Sequence, residues 1–108
     1  MPEQPPIQDV LNGLADQGEL VLLQMQPGLR IDQEMLIAQI AVQWAELATA
    51  IALLTLGSAN AARLRSTSRT ASPTHPRPTA ISANLADYWD SVAWRIDQLR
   101  EWADNPPE

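Results

Sequence analysis

Between residues 29 and 56 the chain is apolar almost without interruption. After Glu34 its only charged residue is Glu46, and neither proline nor glycine appears before Gly57. Ile37, Ile40, Trp44, Leu47, Ile51 and Leu54 recur at alternating steps of three and four, which is one seam along an α-helix. Ala38, Ala41, Ala45, Ala48 and Ala52 run beside it with the same rhythm. A large-residue seam next to an alanine stripe predicts a helix packed on two sides, one of them closely. Gln39, Gln43 and Glu46 form a narrow polar face that gives way to Ala50 and Leu53, so the last turns are apolar all round and need cover. Glu46, on the face of the two glutamines, is expected to point to solvent.

A second seam, Leu85, Trp89, Val92, Ile96, Leu99 and Ala103, predicts a helix over residues 81–103, capped by Thr79 or Ser82. The two long helices are expected to pack as an antiparallel pair, joined by a connection long enough to return. Ile7, Val10, Leu11 and Leu14 predict a short amphipathic helix over residues 7–17 that caps the core, with Gly18 placed to stop it. Residues 19–25 form a continuous apolar run that fits a strand or a helical turn. With no second strand candidate to satisfy its backbone, it reads as helical or irregular. Residues 58–64 either extend the central helix or follow a stop at Gly57-Ser58. The fold class is therefore all-α, a small helical bundle in one domain. Residues 1–64 carry the short and the central helix, residues 65–79 a linker, and residues 80–108 the C-terminal helix.

Composition sharpens this picture. At 108 residues, of which roughly 75–80 look foldable, the core is modest, and chains of this size often lean on disulfides, metals or partners. With no cysteine and a single histidine, His75, the first two are ruled out or disfavoured. The net charge of −6 is unevenly spread. Both helical regions are acidic, while residues 58–80 hold Arg63, Arg65, Arg69 and Arg77 and no acid. Arginine without lysine, beside abundant alanine, suggests a GC-rich coding sequence such as that of an actinobacterium or its phage. The first residues lack the basic and apolar regions of a signal peptide, so a cytoplasmic or virion setting is expected.

Candidate chemistry is sparse. The serine-, threonine- and proline-rich linker reads first as a solvated connector. Arg63 and the linker's Arg65, Arg69 and Arg77 form a candidate basic arm for phosphate, without the interleaved aromatic residues that stack on bases. Asp87, Asp90, Asp97, Glu101 and Asp104 make an acidic outer face on the last helix, with Trp94 in its midst. A tryptophan there needs another surface, either the N-terminal helix or a partner. The interface candidates are Trp94, Trp44, Leu53, Tyr88 and Trp102. No catalytic constellation, cofactor motif or metal-ligand set is present in the sequence, and no small-molecule substrate is expected.

Three functional readings follow. The first is a non-enzymatic assembly or adaptor protein acting through protein–protein contacts, as a homo-oligomer or within a larger assembly. A phage structural or accessory protein is its concrete form. Second comes a nucleic-acid-associated regulator using the arginine arm, against which the overall acidity counts. Third is a single-span membrane protein, because residues 35–57 are long enough to cross a bilayer. Gln39, Gln43 and Glu46 count against that. The helical-hairpin outline resembles that of the small secreted proteins with a Trp-x-Gly turn. Here, however, the tryptophans are followed by Ala45-Glu46, Asp90-Ser91, Arg95-Ile96 and Ala103-Asp104, and nothing is carried over.

Overall fold

A computed structural model describes residues 6–66 and 72–107. The described residues form four helices: α1 (Ile7–Gln24), α2 (Ile31–Leu56), α3 (Ser58–Arg65) and α4 (Ala83–Asp104). The architecture is a small all-α bundle, as the two seams predict.

Local chemistry accounts for the helix ends. The Arg30 backbone N–H donates to the Gln33 side chain at 3.0 Å, and Asp32 and Glu34 sit at the positive end of the α2 dipole. Gly57 ends α2 with φ of +92°, a conformation that side chains resist, and α3 starts afresh beyond it. Ser82 caps α4 by accepting from the Leu85 N–H. Its hydroxyl also donates to Glu34, which ties the start of α4 to the start of α2.

α1 is longer than the periodicity suggests. Residues 19–25 are helical as far as Gln24, and Gly18 lies inside the helix instead of ending it. A Cβ at Gly18 would lie 2.5 Å from the Trp44 ring and 2.7 Å from Ile96. Glycine is therefore present because three helices converge there, and the helix tolerates its poor propensity. The Trp44 indole N–H donates to the Leu14 carbonyl at 3.0 Å and locks the same junction. α1 is accordingly a main wall of the core and not merely a cap. It runs antiparallel to α4: Gly18 meets Ile96, and Asn12 meets Arg100.

The sense of α2 against α4 differs from expectation. Glu34 meets Ser82 and Asn84 at one end, while Trp44 and Ile96 converge on Gly18 further along both helices. Both helices therefore run the same way. Physically, a long connection that carries the chain back to its starting level sets the next helix parallel, whereas a short turn would set it antiparallel. Within α2, burial centres on the alanine stripe: Ala41, Ala48 and Ala52 are in the core with Ile37 and Trp44. Leu47 and Leu54, from the large-residue seam, face outward. The α4 seam is buried as predicted except for Trp89, which is partly covered.

Two glycine variants separate these roles. Gly18→Ala is expected to lower stability by about 1–3 kcal/mol, the usual cost of overpacking. Gly13→Ala, where nothing lies within 4 Å, is expected to raise it by about 0.5–1 kcal/mol. Urea denaturation of the two variants checks both signs.

Candidate functional site

The described part of the return connection, residues 72–82, is a pinned strap and not a free connector. Ser72 is buried, and its hydroxyl donates to Asp97, as does that of Thr74. The His75 ring lies 3.2 Å from Glu19 and 3.5 Å from Asp97. The Trp89 indole donates to the His75 carbonyl at 3.0 Å, and Arg77 pairs with Asp90. The strap thus descends the acidic face of α4, from the level of Asp97 to that of Asp90 and on to Ser82. Part of that face is a docking surface for the chain itself. The Ser72 and Thr74 hydroxyls are occupied with a carboxylate, and His75 does not line the hollow described below.

On the opposite side of this cluster, Arg100 reaches Asn12, Asp16 and Glu19 across to α1 at 2.8–3.1 Å. The bond to Asp16, with the nearby Glu19, raises the pKa of its guanidinium above the ordinary value.

The predicted interface residues fall into two groups. Trp44 and Trp102 are core residues, 5% and 4% exposed, so the expectation that they form an outer surface is corrected. Trp44 sits where three helices converge on Gly18, and Trp102 belongs to the buried core cluster. Trp94, Tyr88 and Leu53 come together and line a hollow of about 960 Å³ between α2 and α4. Ala41, Val42, Ala45 and Ala50 line it from α2, with Glu46 at the exposed rim. Trp94 does not look out from the acidic stripe alone. It is partly buried against the core, with its indole N–H enclosed and unbonded.

Arg77 is engaged with Asp90, which raises its pKa above the ordinary value. Arg63 and Arg65 lie on the last turn of α3, and Arg69 falls outside the described residues. Arg65 instead lines the hollow, together with Arg95.

Arg95 is the residue that sequence reasoning passed over. It is 7% exposed, and burial pushes its pKa below the ordinary value. Its guanidinium stacks on the Trp94 ring, 4.6 Å from the centroid, and donates to the Leu64 carbonyl at 2.8 Å and to Ser91. A signal existed: Tyr88, Val92, Arg95, Leu99 and Trp102 alternate by four and three, which sets the arginine within an apolar stripe.

A second candidate surface is the outward face of α2. Ile31, Met35, Leu36, Val42, Leu47, Leu53 and Leu54 are all exposed, from 43% at Leu53 to 85% at Leu54. α2 is also the one helix among the described residues that is long and apolar enough to cross a membrane, and only a third of its most apolar stretch is buried. No protein-family model, curated protein or solved structure matches this chain.

Core and outward positions separate energetically. Trp44→Ala is expected to cost about 3–5 kcal/mol, as large-to-small core changes do. Leu54→Ala is expected to stay within about 0.5 kcal/mol, as exposed substitutions do. Thermal and urea unfolding of the two variants tests the division.

Proposed function

We propose that this protein is a non-catalytic helical assembly module that works through protein–protein contact on the outward face of α2. The observation that carries the reading is the set of large apolar side chains left exposed on that helix. Apolar faces of this extent on a small chain mark association surfaces. The partner this face suits first is a second copy of the chain. Each copy carries a net charge of −6, but Glu46 is the only charge on α2 beyond Glu34, so two such faces meet with little repulsion. A two-fold pairing would set the same stripe against itself. A structural or accessory role in a phage particle is one setting for such a module.

The nucleic-acid reading is weaker, because Arg77 is neutralised by Asp90 and the strap lies on acidic residues. A membrane span is favoured by the length and hydropathy of α2, 26 residues with a mean of 1.5 over its most apolar window. Against it stand the ties of that helix to its neighbours through Trp44 and Glu34, which insertion would break.

Light scattering behind size exclusion, on protein made without detergent, tests the proposal. A defined oligomer is expected, and the double variant Leu47→Asp, Leu54→Asp is expected to shift it to monomer with unchanged helical circular dichroism. A wild-type monomer throughout the micromolar range would sink the self-assembly form. Recovery only in the membrane fraction would replace it with the spanning reading.

A further inference from the structure

A guanidinium withdrawn from water without a counter-ion is costly, and buried charges are ordinarily paired. Arg95 departs from that rule. Its Nε donates to the Leu64 carbonyl and its Nη1 to Ser91, both neutral, while its Nη2 donates to no group among the described residues. No carboxylate among those residues lies within ion-pair distance of it. The residues that follow α3, 67–71, contain no acid.

Two further features of the same hollow point the same way. The Trp94 ring on which the Arg95 guanidinium stacks is itself a wall of the hollow. Arg65 is a second cation in the lining. Around the two arginines, apolar walls of Val42, Ala45, Ala50 and Leu53 from α2 and the Trp94 ring from α4 stand beside the polar Thr49, Asn84 and Ser91. Small-molecule sites have this form, an apolar cleft of about 300–1,000 Å³ with a few convergent polar groups. At about 960 Å³ the hollow is at the roomy end of that range.

We propose that the hollow between α2 and α4 binds an amphiphilic monocarboxylate. Its head group pairs with Arg95, with Arg65 as the second cation, and its apolar body lies along Val42, Ala45, Leu53 and Trp94. A carboxylate matches the planar fork of a guanidinium. Glu46, Asp87 and the Arg77-paired Asp90, which also line the hollow, repel a polyanion such as a nucleotide and leave a single charge as the better match. The hollow shares Val42 and Leu53 with the outward face of α2, while Leu36, Leu47 and Leu54 lie outside it.

The test titrates decanoate, 1-decanol and inorganic phosphate into the full chain, read by tryptophan fluorescence and calorimetry. Decanoate is expected to bind more tightly than decanol by roughly tenfold or more, the worth of one charge-assisted hydrogen bond. Phosphate is expected not to compete. Arg95→Gln is expected to remove the preference for decanoate over decanol. Because Arg95 also holds the Leu64 carbonyl, that variant can lose its fold. Ala50→Trp, at an exposed position of the lining, then fills the hollow without touching those bonds and is expected to abolish binding. Equal affinity for decanoate and decanol, decanoate binding that survives in Ala50→Trp, or no decanoate binding would each overturn the proposal.

Discussion

The close junction of three helices at Gly18 is the constraint on which the rest depends. The Trp44 ring from α2 and Ile96 from α4 both occupy the space that a side chain at residue 18 would need. The indole then donates to Leu14 one turn earlier on α1, so the wedge is fixed in orientation as well as in depth. Because α1 and α4 close on that side of α2, α2 buries its alanines and leaves its far side bare. The exposed leucines and the hollow beside Trp94 are thus consequences of where the junction sits. A ring of this size packed at native density leaves no slack for the helices to slide around.

Electrostatics arranges what packing leaves open. The basic stretch and the acidic faces, separate blocks in the sequence, meet in the fold. Arg77 lies on Asp90, and the hydroxyls of Ser72 and Thr74 share Asp97. Arg100 bridges to Asp16 and Glu19 on α1. Each of these pairs is partly exposed and individually modest. The pairs made by Ser72, Thr74 and Arg77 hold an otherwise irregular segment along α4 and set its direction. Arg95 stands outside that pattern, as a cation surrounded by apolar neighbours and neutral oxygens.

Much of the fold was legible in the sequence, because long runs of period 3.6 survive tertiary context. The two seams located α2 and α4 to within two residues at each end, and Ser82 was recognisable as a cap. Gly18 misled because a glycine that stops a helix and one that admits a neighbouring ring look identical in one dimension. Direction misled for a related reason: periodicity reveals which face is apolar and not which partner covers it, and the strap's path depends on side-chain pairs far apart in sequence. In the candidate site, the grouping of Trp94, Tyr88 and Leu53 was anticipated as interface residues but not as walls of one cleft. Trp44 and Trp102 were misplaced, since size alone does not separate an anchor of the core from an anchor of an interface.

The contact between α1 and α4 joins residues far apart in sequence. Arg100 and Asn12 are 88 positions apart, and the arginine's other partners are 81 and 84 away. The hairpin of α1 and α2 can form from near neighbours, but it cannot be enclosed until α4 has been made. Loop closure over that distance precedes any reward from the contacts it permits, which slows the final step relative to a bundle of local hairpins. During synthesis the alanine stripe of α2 and one side of α1 therefore stay wet until α4 leaves the ribosome, and the strap that guides α4 home emerges just ahead of it.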